Sequence, residues 1–298
     1  MLPQNEIFEK IAQDKGCDIA FPMKENFLLQ VIKQFVERLK LPEGYNFIFG
    51  GGTSLVCAYD ELTKRFSEDG DFRIVPKPTH TKSIREDLKS IANTLTDFKV
   101  EECIETSHMI TFLFKAINYD IPLNETIRPY IKMEIFFTDD LFYKSQEKQL
   151  ISFYNRYAGL QPETKVLCVS LEDTAIDKIS SLLWRIASKK TETPKYDRSD
   201  IRHLHDLAYL YPKLNIDEDF KKYVLQVGNH DIKERLKSDK TFTEVVNEVL
   251  SELKTNKTYK NDFRIYVENM SYEQTDKQLT FEKALDSFEK LMLEIVSV

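Results

Sequence analysis

The chain has 298 residues, enough for one large domain or two ordinary ones, and its 42% hydrophobic and 31% charged residues are typical of a soluble globular protein. A formal net charge of −7 argues against a generally basic nucleic-acid-binding protein, although it is compatible with a local basic patch. The sequence has no apolar run long enough to span a membrane, no signal-peptide core and no C-x-x-C pair, so we expect a cytoplasmic protein without a zinc site or a disulfide framework.

The N-terminal half alternates helical and extended patterns. Apolar side chains recur at helical spacing over residues 24–40, and Pro42 ends this predicted helix. Thr53 or Ser54 is the predicted N-cap of a later short helix. In chain order, the patterns then predict a strand over 45–49, the short helix over 55–62, a strand over 72–75, a helix over 79–96, two strands over 99–106 and 108–117 that pair as an antiparallel hairpin, and a strand over 128–137.

The C-terminal half has helical patterns. Residues 165–169 form the last predicted strand, and Gly228-Asn229 is interpreted as a turn. The predicted fold class is α+β, with a mixed α/β domain over 1–164 and an all-helical domain over 165–298. The predicted helices cover 171–189, 200–211, 217–227, 232–237, 243–254, 259–269 and 280–296.

A glycine run and two aspartates stand between the first two predicted strands. Three of the eight glycines of the chain, residues 50–52, follow the first strand, which indicates a special backbone conformation or close approach of a ligand. Asp69 and Asp71 are two residues apart, so on an extended chain their side chains share a face. Carboxylates suit Mg²⁺, and backbone N–H groups at a helix start suit phosphate. The alternative is a tight turn followed by a solvated acidic loop.

A third acid, Glu134, lies on a later predicted strand, where Lys132 and Glu134 alternate with apolar residues. Together with Asp69 and Asp71 it has the layout of a nucleotidyltransferase palm, in which carboxylates hold Mg²⁺ against a triphosphate and another residue supports a second metal or accepts a proton. Ser67 or Ser54 can hydrogen-bond a phosphate. The alternative for Glu134 is an ordinary charge on an edge strand.

The order of these residues resembles the signature of the abortive-infection nucleotidyltransferase toxins, the AbiEii/AbiGii family of the DNA polymerase β-like superfamily. The family form is G-G-T-A-L, a spacer and R-x-S-x-D-x-D, and this chain has G-G-T-S-L and then R-F-S-E-D-G-D. Gly70 stands where a larger residue is usual, and both carboxylates are retained. The matching residues are Gly51, Gly52, Thr53, Arg65, Ser67, Asp69 and Asp71.

Two later segments also resemble motifs of this family. Lys132 and Glu134 lie in a segment similar to a motif strand that carries a lysine and an acid. Glu172, Lys178 and Arg185 have the spacing of a motif helix, E-x-x-x-x-x-K-x-x-x-L-x-x-R.

A fourth segment, Arg-His-Leu-His-Asp-Leu from residue 202, resembles the family motif R-D-L-Y-D-L. Its first aspartate is replaced by His203 and its tyrosine by His205. Asp206, at the position that the family uses catalytically, is retained. His203 is therefore the main departure in a resemblance that extends from about residue 47 to residue 210.

The resemblance implies a polymerase β-like fold and a toxin of a type IV toxin–antitoxin or phage-defence system, which transfers a nucleotide from an NTP with Mg²⁺. The implied acceptor is RNA, with the 3′ end of tRNA favoured, and a cognate antitoxin is the implied protein partner. Asp69 and Asp71 would hold metal together with Glu134, Lys178 would reach the triphosphate and Asp206 would be a further essential acid, in a cleft between the two parts of the chain. The implied nucleotide-binding residues are Gly51, Gly52, Thr53, Arg65, Ser67 and Arg185.

Alternatives remain for the cationic residues. Lys178 lies at the edge of an apolar helix face, where a lysine can also extend its charge to solvent. Arg185 can form a structural ion pair with Glu172 or Asp206. A basic cluster around the loop after the Lys178 helix can meet an RNA backbone or be an ordinary solvated loop; it comprises Arg185, Lys189, Lys190, Lys195, Arg198 and Arg202.

Alternatives also remain for the function. The same site can modify a protein, which would make the chain an NMPylating enzyme, and a kinase-like transfer is a weaker possibility. A module that binds a nucleotide or an antitoxin without turnover is a third hypothesis, and only the departures at Gly70 and His203 motivate it.

Overall fold

A computed structural model describes residues 4–79, 81–117, 130–139, 141–188, 197–273 and 277–296. The chain forms two compact units, residues 1–169 and residues 170–298. Within the described ranges, no helix is both long enough and apolar enough to cross a membrane.

The first unit is a seven-stranded mixed sheet with helices. The strand order is β3-β4-β5-β2-β1-β7-β6, with β1 parallel to β7, β2 parallel to β5 and the remaining neighbours antiparallel. The predicted hairpin is confirmed as β3 and β4. The strands are β1 Asn46–Gly50, β2 Asp69–Val75, β3 Phe98–Glu105, β4 Met109–Ala116, β5 Ile131–Phe137, β6 Gln146–Leu150 and β7 Thr164–Cys168, and the helices are α1 Gln4–Lys15, α2 Ala20–Arg38, α3 Gly51–Cys57, α4 Thr81–Asn93 and α5 Phe153–Ala158.

One face of this sheet packs against α2. The Phe35 ring lies 5.9 Å from that of Phe112 and 6.1 Å from that of Phe114, measured between centroids. Burying one such side chain contributes about 1.5–3 kcal/mol. A Cβ atom at Gly70 would lie 3.1 Å from Leu28 Cδ1, so glycine at this position fits the close approach of α2 to the sheet.

Strand β2 begins at Asp69, three residues before the predicted start. Its pairing with β5 runs from Asp69–Lys132 to Ile74–Phe137, which extends the strand through both aspartates. Side chains alternate along β2, so Asp69 and Asp71 share one half-exposed face while Gly70, between them, is buried. The predicted common face of the two carboxylates is confirmed.

The predicted N-cap of α3 is wrong. The helix begins at Gly51, immediately after β1, because the positive φ of Gly51 (71°) turns the chain without an intervening loop. Thr53 and Ser54 are buried inside the helix. The Thr53 hydroxyl bonds the carbonyl oxygen of Asp69 at 2.5 Å and lies 2.9 Å from Ser67 Oγ, so it ties α3 to the start of β2.

The second unit is helical throughout the part that the structure describes. A 3₁₀ turn, Arg198–Ile201, precedes α7, and the Asp197 side chain caps this turn by accepting a hydrogen bond from Ser199 N–H. The helix predicted over 200–211 therefore begins with this 3₁₀ turn, and its α-helical part starts at Arg202. The helices are α6 Leu171–Ser188, α7 Arg202–Leu210, α8 Glu218–Glu234, α9 Phe242–Thr255, α10 Lys257–Met270 and α11 Phe281–Val296.

Two other predictions need correction. Gly228 and Asn229 lie within α8, which is one helix where two were predicted; a Cβ at Gly228 would collide with the Phe242 ring, so this glycine reflects helix packing. The sequence reading also missed β6 and α5, the latter capped by Ser152 at its start and by Gly159 (φ 66°) at its end. Residues 128, 129 and 189, at the ends of predicted elements, lie outside the described ranges.

Candidate active site

The carboxylates of β2 stand beside the glycine turn. Gly50 pairs in register with Asp71, so the chain leaves β1 at the level of this aspartate. A Cβ atom at Gly51 would overlap the Asp71 carboxylate. Gly51 therefore meets two demands that other residues meet poorly, a positive φ and close contact with a carboxylate. The glycine run and the acidic pair, 20 residues apart in sequence, form one local structure.

The other residues of the first motif gather around the same turn. A Cβ at Gly52 would collide with the Arg65 guanidinium and lie 3.0 Å from Ser67 Oγ. Arg65 is 4% exposed and donates a hydrogen bond from Nη1 to the carbonyl of Phe66 at 2.7 Å. Together with the Thr53 contacts, these place every residue of the predicted glycine–hydroxyl–aspartate motif within one cluster. Arg65 holds the segment before β2 in place.

Strand β5 adds two charges next to this cluster. In the β2–β5 pairing, Lys132 stands opposite Asp69 and Glu134 opposite Asp71, so all four side chains point to one face of the sheet. Lys132 Nζ lies 2.7 Å from Glu134 Oε2, and both side chains are about one-fifth exposed. The edge-strand alternative for Glu134 is wrong, because β5 lies between β4 and β2.

The donor set fits a hard divalent cation. Asp69 and Asp71 offer carboxylate oxygens on one half-exposed face, and Mg²⁺ is commonly held by one or two carboxylates together with substrate phosphates. Across the described part of the chain, no group of three His, Cys, Asp or Glu side chains is arranged to hold a metal ion. Glu134 lies next to the aspartate pair, with Lys132 as its ion-pair partner.

Two residues that open the predicted helix over 24–40, and that resemble the start of the family's corresponding helix, are buried near this cluster, which the sequence did not predict. Lys24 of α2 is 1% exposed and pairs with Glu68 at 2.5 Å, which anchors the segment between Ser67 and Asp69. Its neighbour Glu25 is also buried; its Oε2 accepts a hydrogen bond from Phe153 N–H at 3.0 Å. Burial raises the pKa of Glu25 from 4.5 to about 8. The available signal was a run of polar residues, 24–26, within an otherwise apolar helix pattern.

In the second unit, Lys178 of α6 and Asp206 of α7 form a buried ion pair. Lys178 Nζ lies 2.6 Å from Asp206 Oδ2, with the two residues 6% and 0% exposed. His205 Nδ1 lies 3.4 Å from the other carboxylate oxygen. The structure therefore brings Lys178 and Asp206 together and does not place the lysine at the surface.

Arg185 is also ion-paired, but with a partner that the sequence reading missed. Its Nη1 lies 2.6 Å from Oδ1 of the buried Asp200, so neither Glu172 nor Asp206 is the partner. In the predicted basic cluster, Lys189, Lys190 and Lys195 lie outside the described residues. Arg198 is exposed and lies 3.9 Å from Asp262, at the limit of an ion pair.

Comparison with known proteins decides the family. The model of the AbiEii nucleotidyl transferase toxin of type IV toxin–antitoxin systems matches residues 34–290. This chain belongs to the AbiEii family. The predicted family is thereby confirmed, and AbiEii toxins are nucleotidyltransferases. Because a nucleotidyltransferase takes its nucleotide from an NTP and a toxin of a type IV system is paired with an antitoxin, both are implied as partners of this chain.

A solved structure supports the fold of this AbiEii toxin. MenT4, a nucleotidyltransferase toxin from Mycobacterium tuberculosis, is similar over 100% of this chain and 98% of its own, with a TM-score of 0.52 and 12% sequence identity. At this identity the similarity concerns the fold, and it confirms the predicted nucleotidyltransferase architecture. No curated protein matches the chain in sequence.

Proposed function

We propose that this AbiEii toxin transfers a nucleotide from an NTP to the 3′ end of an RNA, with tRNA as the acceptor and Mg²⁺ as the metal. The observation that supports the proposal most directly is the close approach of Gly51 to Asp71, which shares one half-exposed strand face with Asp69. Since the family generally uses a divalent metal, these oxygens are the natural ligands.

In the proposed reaction, the acceptor hydroxyl oxygen forms a bond to the α-phosphorus and the bond to the bridging β-phosphate oxygen breaks, so pyrophosphate leaves. Bound Mg²⁺ would neutralise developing charge on the phosphates and on the attacking oxygen. Asp69 and Asp71 would hold it, with Glu134 in support, and Ser67 would orient a phosphate oxygen. The hydroxyl proton passes to a carboxylate of the site.

Lys178 supplies a positive charge for the triphosphate in this proposal. Its pairing with Asp206 at 2.6 Å keeps the ammonium in one position, which gives the acid a positioning role. Arg185, held by Asp200, would contribute a second cation. The exposed Arg198 and the half-buried Arg202 are local cations that suit an RNA backbone in an otherwise acidic chain.

The test is transfer of label from each α-³²P-labelled NTP to purified tRNA, with and without Mg²⁺. We expect RNase-sensitive labelling that Asp69→Asn or Asp71→Asn reduces by roughly 100-fold or more, since each variant removes a metal ligand. Asp87→Asn, an exposed aspartate of α4, is the matched control and should label RNA normally. Unchanged labelling by Asp69→Asn would contradict the site assignment.

The type of label identifies the acceptor. Label that is sensitive to protease and resistant to RNase would show that the acceptor is a protein. The proposed metal site would be the same in that case. Label arriving only from γ-³²P-NTP would indicate kinase-like transfer instead.

A further inference from the structure

His203 is a buried histidine whose polar atoms have no partner. The residue is 9% exposed, and among the described residues neither ring nitrogen has a hydrogen-bond partner. A buried polar group without a partner costs about 1–3 kcal/mol, and such groups are rare in folded proteins unless a ligand or water completes them. An apolar side chain at this position would avoid that cost.

The position of His203 relates it to both ion pairs of the second unit. It stands three residues after Asp200 and three residues before Asp206, the partners of Arg185 and Lys178. Residues three apart on a helix are neighbours, so His203 shares the Asp206 face of α7. The Nε atom of Arg185 is also buried and without a hydrogen-bond partner in the described part of the chain. Two unused N–H donors thus belong to one neighbourhood.

The charges near the His203 ring indicate what kind of ligand suits its unpartnered nitrogen atoms. Burial, and then the positive charges of Lys178, Arg202 and Arg185, hold the pKa of His203 well below its usual value, although Asp206 opposes them. The ring is therefore neutral near pH 7, with one N–H donor and one acceptor nitrogen. Asp206 and Asp200 balance two of the three cations, so these five groups together carry one net positive charge beside the unused N–H donors, and a phosphate oxygen suits both.

We propose that His203 is a substrate-contacting residue, whose imidazole N–H donates a hydrogen bond to a phosphate oxygen of the bound nucleotide, with Arg185 Nε–H as a second donor. This inference rests on the proposed function and adds a contact in the second unit that the family motif does not contain, since the motif has aspartate at this position. Replacing a negative aspartate by a neutral histidine removes an anion beside three cations, which favours an incoming phosphate.

Three substitutions separate this role from a structural one. His203→Phe keeps an aromatic ring and removes both nitrogens. His203→Gln retains a side-chain donor and acceptor. His203→Asp places a negative charge among the same cations. His230→Phe, at an exposed position of α8, is the matched control for the loss of a histidine.

The affinity measurement uses inorganic tripolyphosphate with MgCl₂, titrated calorimetrically into the full-length protein, because this probe is common to all four NTPs. We expect His203→Phe to weaken binding about 10- to 100-fold, as for a lost hydrogen bond to a charged group. His203→Gln should stay within about threefold of the unaltered protein, and His203→Asp should bind at least as weakly as His203→Phe. His230→Phe should bind normally.

Thermal unfolding without ligand is the second readout. Because the free protein carries the cost of the unpartnered ring, we expect His203→Phe to unfold at the same temperature as the unaltered chain or higher. Lower melting temperatures for both His203→Phe and His203→Gln, together with equal losses of affinity, would instead show a structural role and overturn the inference.

Equal tripolyphosphate binding by His203→Phe and the unaltered protein would overturn it too, as would absence of binding by the unaltered protein. Labelling of RNA tests the proposed function separately. If Asp69→Asn abolishes labelling while the His203 variants bind tripolyphosphate normally, the proposed function stands and the role of His203 falls. If His203 governs binding but no RNA is labelled, the acceptor assignment falls instead.

Discussion

Gly51 shows how much of the site depends on one missing side chain. Its positive φ turns β1 directly into α3, and its Cα–H side faces the Asp71 carboxylate at a distance that leaves no room for a Cβ. A substitution therefore has two separable effects, a backbone strain of about 1–3 kcal/mol and displacement of a carboxylate.

If Asp71 is a metal ligand as proposed, we expect Gly51→Ala to lower nucleotide transfer by roughly 100-fold or more, because displacing such a group by about 1 Å is enough for this loss. Gly159→Ala is the matched control: its φ of 66° imposes similar strain, but nothing lies within 4 Å of the added Cβ. Melting temperatures and α-³²P transfer, measured for both variants, separate strain from displacement. Equal activities of the Gly51→Ala and Gly159→Ala variants would show that the contact between Gly51 and Asp71 does not affect nucleotide transfer.

Glu25 makes stability depend on pH in an unusual direction. Its pKa is about 8 in the folded chain against 4.5 ordinarily, so between these values the folded state keeps a proton that the unfolded state has lost. The stability contributed by this group is complete below pH 4.5, declines as pH rises and is gone above about pH 8. Desolvation of the buried carboxylate is the main cause.

We expect Glu25→Gln to be more stable than the unaltered chain at pH 9, by on the order of a few kcal/mol, and the difference to disappear near pH 5. Denaturant unfolding at both pH values measures the free energy of unfolding of each chain. Subtracting one from the other cancels the contributions of the titratable groups that both chains share. Glu37→Gln, at an exposed position on the same helix, is the matched control for the loss of a glutamate. A constant difference for Glu25→Gln across pH would contradict the raised pKa.

At the scale of single elements, α8 illustrates packing that outweighs propensity. Alanine is favoured over glycine within a helix by about 1 kcal/mol. Gly228 is buried, however, and an added Cβ would collide with the ring of Phe242 at the start of α9. The glycine allows α8 and α9 to approach each other.

We therefore expect Gly228→Ala to lower the melting temperature, because overpacking reduces the free energy of unfolding by roughly 1–3 kcal/mol. Asn229→Ala, an exposed neighbour in the same helix, should leave stability unchanged or raise it slightly. Circular dichroism melts of the two variants provide the comparison. A more stable Gly228→Ala chain would show that Phe242 moves aside at no cost.

At the scale of the whole molecule, the sequence predicts those features that depend on residues close together in the chain. The common face of Asp69 and Asp71 follows from strand alternation, and the role of the glycine run follows from composition. Local patterns alone could not place Glu134 beside Asp71, because this requires a parallel pairing of strands about 60 residues apart; the grouping of the three acids came from the likeness to a nucleotidyltransferase palm. The partners of Lys178 and Arg185 likewise depend on how α6 packs against α7 and its preceding turn.

Buried polar residues were the hardest to foresee. Lys24 and Glu25 occupy an apolar helix pattern, and their burial becomes evident only when Glu68 and Phe153 are placed beside them. The interpretation of Gly228-Asn229 as a turn failed for a similar reason, since only the Phe242 ring explains a glycine inside a helix.

The division of the chain between residues 169 and 170 affects the order in which the candidate site residues are synthesised. Ribosomal synthesis at about 5–20 residues per second delivers Asp71 roughly 7–27 s before Asp206, so a nascent chain carries its carboxylates well before the Lys178–Asp206 pair. We expect a chain stopped after residue 169 to permit normal growth when the full-length chain, induced to equal protein levels, arrests it. Growth arrest by the shortened chain would show that the first unit alone is toxic.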